Sequence, residues 1–196
     1  MTSDWTRRRA LELMESWTES PSLRAHMRAV ELAMRHMAPR YGGDPDYWGI
    51  VGLLHDFDYE RFPNADRAPE AEHPSAGVAH LRAGGFPDDG CVAILGHAGY
   101  TGVPRETDLA RVLFAVDELA GFVVACALVR PSRSLQDLEP ASVLKKLKDK
   151  AFARGVNRDD VRQGAEEIGV PLDALVREVL AALRPFERDL GLGAAV

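Results

Sequence analysis

The chain has 196 residues, 24 basic against 30 acidic side chains for a net charge of -6, and a composition 46% apolar, 28% charged and 7% aromatic. That length suits one domain able to remove roughly 70% of its unfolded surface from water, and the composition excludes disordered, collagen-like and disulfide-scaffold classes. The negative charge offers no whole-molecule attraction to a nucleic-acid polymer or an anionic membrane, so neither is an expected partner.

The amino terminus, with Trp5 and the run Arg7 to Arg9, lacks the apolar stretch of a signal peptide. The longest apolar stretch, Leu119 to Val129, is closed off by Glu118 and Arg130 and falls short of the ~18 residues needed to span a bilayer. Cys91 and Cys126 lie inside apolar segments, which suits reduced core thiols better than a secreted disulfide framework. These features point to a cytoplasmic protein.

In chain order, residues 21–38 place Leu23, His26, Met27, Val30, Ala33, Met34 and Met37 at three- and four-residue intervals, the spacing of one buried helical stripe. A second helix is predicted from Asp46 to Asp56; Trp48, Ile50, Val51, Leu53 and Leu54 make it apolar on most sides, so it belongs at the centre, and it ends at His55-Asp56. Phe57 to Glu72 mixes prolines and charges without periodicity and reads as a long loop, a common site wall. Pro74 opens a helix that stops at Gly84-Gly85. A short helix from Asp88 to Leu95 precedes a glycine-rich turn, residues 96–102. From Glu106 to Val129 a long helix carries Leu109, Val112, Leu113, Val116, Asp117, Ala120 and Val124 on one side. Further helices are expected over Ala141 to Arg154 and Asp173 to Leu190. No alternating run is long enough for a strand and no internal repeat occurs, so the fold class is all-α, a single-domain helical bundle spanning residues 1–196.

Several side chains fit this helical pattern poorly unless a cation accompanies them. His26 and Asp117 lie on apolar helix faces, and His55-Asp56 ends the most apolar helix. A buried ionised aspartate costs several kcal/mol unless paired or bound to a cation, and a carboxylate at a helix C-terminus opposes the helix dipole. Imidazole nitrogen and carboxylate oxygen suit zinc, iron and manganese. Taken one at a time, each has a plainer reading: a hydrogen-bonded core histidine at 26, a polar helix end at 56, or an ion pair of Asp117 with Arg111 or Arg130.

The ordered set His26, then His55-Asp56 in Gly52-Leu-Leu-His-Asp-Phe-Asp-Tyr59, then Asp117 in Phe114-Ala-Val-Asp-Glu-Leu119 resembles the HD superfamily of metal-dependent phosphohydrolases over residues 20–130. The resemblance implies that His26, His55, Asp56 and Asp117 hold one divalent ion and that Asp56 bridges to a second held by His73 and His97. The ion would be Fe, Mn, Mg, Co, Ni or Zn, and the helices of residues 131–196 would pack on the metal-site core. Two cations sharing a carboxylate can also share a hydroxide of lowered pKa.

The activity implied is hydrolysis of a phosphate ester of a small molecule or nucleotide by metal-activated hydroxide. Asp58 and Glu72 are then candidate proton donors beside Asp56, and Arg130, Lys145 and Lys148 are candidate anion clamps. His80, seven residues past His73, is an alternative ligand or supporting contact, while His36 lies off the His26 stripe and belongs at the surface. Two other functions fit the same residues: a mixed-valent di-iron oxygenase of the superfamily, and a non-catalytic helical module with a structural metal. Homo-oligomerisation is left open by the sequence.

Overall fold

The computed structural model describes residues 5–193, all of them helical, turn or loop, with no strand among the described residues. Among the described residues nine α-helices follow one another: α1 Arg7–Trp17, α2 Pro21–Met37, α3 Pro45–Leu54, α4 Ser75–Ala83, α5 Asp88–His97, α6 Asp108–Leu128, α7 Pro140–Leu147, α8 Arg158–Glu167 and α9 Leu172–Leu183. Short 3-10 segments extend α2 through Ala38–Tyr41, form Gly99–Thr101, and extend α9 through Arg184–Leu190. None of these helices is long and apolar enough to cross a membrane.

The centre is built on α2, which packs against α3, α6 and α9. Ser20 caps its N-terminus by accepting from the Leu23 N–H, Pro21 occupies the first turn, and Met27, Val30, Ala33, Met34 and Met37 are its buried stripe. Helix α3 starts at Asp44, which accepts from the Asp46 N–H, with Pro45 next. It lies very close to α2 because Gly52 is at the crossing: a β-carbon there would stand 2.9 Å from Met34 Cγ and 3.0 Å from the Val30 carbonyl oxygen. That approach brings His26 and His55 together. Helix α6 is buried along most of its length, from Leu109 to Ala127, and takes α5 and α8 against it.

Two helices are absent from the sequence reading. In α1 only Ala10 and Met14 are buried, and in α8 only Val161, Gly164 and Ala165, so neither carries a stripe wide enough to register as a period. Helix α8 is begun by Asn157, whose side chain accepts from the N–H groups of Asp159 and Asp160. Helix α7 ends at Leu147 rather than Arg154. The following turns are gathered by the Arg158 guanidinium, which donates to the carbonyls of Ala153 and Val156, both at 2.6 Å, and to that of Phe152. Helix α5, conversely, runs on through His97, so that residue is in a helical last turn and not in the glycine-rich segment.

Candidate metal centre

Six side chains from five segments converge at one end of the α2, α3, α5, α6 cluster. His26 comes from α2, His55 and Asp56 from the end of α3, His73 from the loop before α4, His97 from the end of α5 and Asp117 from the middle of α6. His26 Nε2 lies 3.1 Å from Asp117 Oδ1 and 3.5 Å from Asp56 Oδ2. His55 Nε2 is 3.3 Å from both Asp117 Oδ1 and Asp56 Oδ2. On the opposite side of the same carboxylate, His73 Nε2 and His97 Nε2 each lie 3.4 Å from Asp56 Oδ1. Asp56 thus presents one oxygen to His26 and His55 and the other to His73 and His97. One donor atom from each of His26, His55 and Asp117 falls within 4.8 Å of the others, and the same is true of His55, Asp56 and His97.

The outer nitrogens fix which inner nitrogens can act as ligands. His55 Nδ1 lies 2.8 Å from the Gly52 carbonyl and His97 Nδ1 2.5 Å from the Ile94 carbonyl; a carbonyl only accepts, so both Nδ1 atoms carry hydrogen. His73 Nδ1 donates to Asp58 Oδ1 at 2.7 Å, and the second oxygen of Asp58 accepts the Gly77 N–H at 2.7 Å. All three rings are therefore committed through Nδ1 and aim Nε2 at carboxylate oxygens. An Nε2 facing a carboxylate must either carry a proton, which makes the ring an imidazolium, or share a cation with the carboxylate, so each of these nitrogens is a position where a metal ion would displace a proton. Outer hydrogen bonds of this type orient histidine ligands and raise their basicity, so the donor set fits a divalent cation.

Electrostatics agree. Burial works to lower the His55 pKa, but Asp56 and Asp117 outweigh it and hold the ring well above the ordinary imidazole value. Burial likewise opposes ionisation of Asp56 and Asp117, yet the surrounding imidazoles keep both well below the usual carboxylate range. No arginine relieves Asp117: Arg111 donates to the Arg105 carbonyl and approaches Asp108, and Arg130 pairs with Asp137 at 2.8 Å.

The loop carrying His73 is ordered by its own hydrogen bonds. Asn64 Nδ2 donates to the carbonyls of Ala68 and His73, each at 2.8 Å, and Asn64 Oδ1 accepts the Ala68 N–H. Tyr100 Oη donates to the His73 carbonyl at 2.9 Å, and the His73 N–H reaches the Phe62 carbonyl. The loop is accordingly a wall of the site. Beside the ligand cluster opens a cavity of about 540 Å³, whose rim includes Tyr59, Arg67, Tyr100, Glu118, Asn157 and Asp160. Burial, reinforced by Asp117, lifts Glu118 to about 7.

The other expected site residues fall elsewhere. Asp58 is 1% exposed and accepts from both His73 and Gly77, so it orients the His73 ring and does not reach the cavity. Glu72 is exposed and outside the cavity wall. Arg130, held by Asp137 at the far end of α6, does not line the cavity, nor do the exposed Lys145 and Lys148. His80 is on the outer face of α4, its ring centroid 4.7 Å from that of Trp17, and cannot replace His73. His36 is exposed, 2.8 Å from Glu178. Cys91 and Cys126 are free and buried, and burial raises their thiols to about 11 and about 12.

What sequence reasoning missed is the far wall. Asn157 caps and Asp160 begins the unrecognised α8, whereas Arg67 lies in the long loop expected to wall the site and Tyr100 in the 3-10 segment Gly99–Thr101 within the glycine-rich turn. The Asn157-Arg-Asp-Asp160 run, a helix-capping asparagine followed by acids, was the available signal. Glu118 adjoins Asp117 but had no periodic reason to be chosen.

Comparison with curated proteins gave no match to this chain. A family model for the HD domain matches residues 23–121, just over half of the sequence and the whole span from His26 to Asp117. HD domains typically bind divalent metals and are generally metal-dependent hydrolases. The matched span carries all six converging histidines and aspartates, and the chain belongs to the HD domain family.

Proposed function

We propose that this protein is a phosphohydrolase that uses two divalent ions to cleave a small phosphate monoester. The observation that carries the reading is Asp56, whose two oxygens face separate histidine pairs 3.3–3.5 Å away. His26, His55, Asp56 and Asp117 would hold one ion, and Asp56, His73 and His97 the other. Bound there, the ions would supply acidification of water and charge stabilisation at a transferring phosphoryl group.

The chain's own groups supply the rest. Asp58, Gly52 and Ile94 hold three ligand rings in the tautomer that leaves Nε2 free. Arg67, the one arginine or lysine lining the cavity among the described residues, would take one phosphoryl oxygen, whereas Glu118 and Asp160 oppose a long polyanion. This balance favours a monoester over a nucleoside polyphosphate. With Asp58 enclosed and the Tyr100 hydroxyl donated to the His73 carbonyl, Glu118 replaces Asp58 as the group that would hold or pass a proton at the departing oxygen. The cavity is open to solvent at Asp56, 16% exposed, and Asp117, 15% exposed, which suits an exchanging substrate better than a closed structural site.

The test is elemental analysis of the purified protein followed by phosphate release from a panel of monoesters with manganese, magnesium, cobalt or nickel. The expected result is metal-dependent release that vanishes in Asp56→Ala together with the bound metal. Iron in the protein with a mixed-valent signal and oxygen consumption, and no phosphate release, would replace the hydrolase reading by the oxygenase one. Full metal content and turnover in Asp56→Ala would refute both.

A further inference from the structure

A second cavity, about 720 Å³, lies behind the metal centre between α2, the C-terminal half of α6 and the 3-10 segment after α9. Its floor is apolar, made by Val124, Ala125 and Leu128 of α6. Its rim carries four guanidinium groups, Arg24, Arg28, Arg133 and Arg188, against one carboxylate, Asp189. On a chain of net charge -6, this is a concentrated positive patch over an apolar floor.

The four arginines are not equivalent. Arg24 is spent on the chain itself, donating to the carbonyls of Thr18 at 2.6 Å and Glu15 at 2.8 Å. Arg28 reaches Glu15 through Nη2 at 3.1 Å, but its Nε is buried with no hydrogen-bond partner. Arg133 and Arg188 are exposed, and neither side chain makes a hydrogen bond or ion pair among the described residues. Arg28 Nε is closed off from the groove, so the guanidinium groups free to pair with an anion there are those of Arg133 and Arg188. The volume lies within the range of small-molecule sites, and the wall pattern of apolar floor with a few convergent polar groups is theirs too.

The two cavities share His26, which lines both. Its Nε2 edge faces the carboxylates, while a β-carbon on Gly121 would lie 3.2 Å from its Nδ1. Glycine at 121 therefore leaves the groove-side edge of the ring uncovered by a side chain.

We infer that this groove is a binding site for a small organic anion, one phosphate, sulfonate or carboxylate head on an apolar body, separate from the metal centre. The head sits between Arg133 and Arg188, and the body lies along Val124 and Leu128 against the His26 ring edge. The occupant is a soluble molecule held in a recess, not a membrane surface.

The probe is 1-octanesulfonate, titrated calorimetrically into the full-length protein, with inorganic sulfate and 1-octanol as head-only and tail-only controls. Saturable binding of octanesulfonate is expected, with sulfate and octanol each at least tenfold weaker. Arg133→Gln/Arg188→Gln should weaken binding about tenfold, and Leu128→Glu, which puts a carboxylate on the exposed end of the floor, should abolish it; circular dichroism keeps both interpretable. Lys145→Gln/Lys148→Gln should change nothing. Asp56→Ala should retain octanesulfonate binding, which separates this site from the metal centre and lets it survive a failure of the hydrolase reading. Unchanged affinity in the arginine pair, loss in Asp56→Ala, equal binding of sulfate or octanol, or cosedimentation with anionic vesicles would each overturn the inference.

Discussion

Replacing Asp58 by asparagine separates its orienting role from a catalytic one. The carboxylate now accepts twice, from His73 Nδ1–H and from the Gly77 N–H, both at 2.7 Å, in a site closed to solvent. An amide of the same shape has one accepting and one donating end. Its oxygen is expected to keep the Gly77 N–H, leaving the NH2 to face His73 Nδ1. The ring relieves that clash by moving its proton to Nε2, where it points at Asp56 Oδ1, 3.4 Å away. The metal-free protein then loses little, about 1 kcal/mol for a charge-assisted bond replaced by a neutral one. Metal binding loses more, because His73 no longer offers a lone pair. Disrupting such an outer partner typically weakens affinity by roughly 10–100-fold, which corresponds to about 1.4–2.7 kcal/mol. The loss should fall on the ion held by His73, His97 and Asp56 and spare the one held by His26, His55 and Asp117. Metal titration by calorimetry gives the affinities, urea unfolding without metal gives the stability, and imidazole nitrogen chemical shifts report the tautomer. If Asp58→Asn bound two ions as tightly as wild type and kept the Nδ1–H tautomer of His73, the proposed role of Asp58 would be refuted.

The remaining expectations use other features. Gly52→Ala should lower stability by about 1–3 kcal/mol and weaken metal binding, since the new carbon would press on the α2 backbone and separate His26 from His55; thermal unfolding and metal titration measure both. Arg67→Gln should raise KM for a phosphate monoester several-fold with little change in unfolding midpoint, a loss of affinity without loss of fold. Arg105→Ala should cost about 2 kcal/mol in urea unfolding, because its fork to Glu167 at 2.6 and 2.8 Å, its bond to the Gly96 carbonyl and its stacking on Phe114 disappear together. In the metal-free protein the raised His55 pKa stabilises below about 6.5 and is lost as pH rises through the folded value. The depressed Asp56 and Asp117 pKa values stabilise above about 4 and are lost as pH falls through theirs. Its stability optimum should therefore be mildly acidic and move upward on metal loading. Metal uptake at pH 7 should also release protons, measurable in weak buffer; uptake without proton release would contradict the His55 assignment.

The amino-acid order alone determined the all-α class and four of the elements that carry the site, because α2 and α6 carry apolar residues at helical intervals and α3 and α5 are short apolar runs bounded by helix-starting and helix-ending residues. It also singled out His26, His55, Asp56 and Asp117, since charged groups on apolar faces are costly wherever they come to rest. Which of the candidate proton donors and anion clamps lie near the cluster was decided only by the tertiary structure. Asp58 and Glu72 are near His55 and His73 in sequence, but one is turned into the core and the other out to solvent. Arg130, just past the end of the Asp117 helix, ends up beside Asp137. The opposite wall comes from α8, a polar helix with three buried residues, brought against α6 where Gly164 meets Ala115. Local pattern records which face of an element is apolar, whereas a cavity wall is made by surfaces from distant elements, and their meeting depends on packing that no short window of sequence contains.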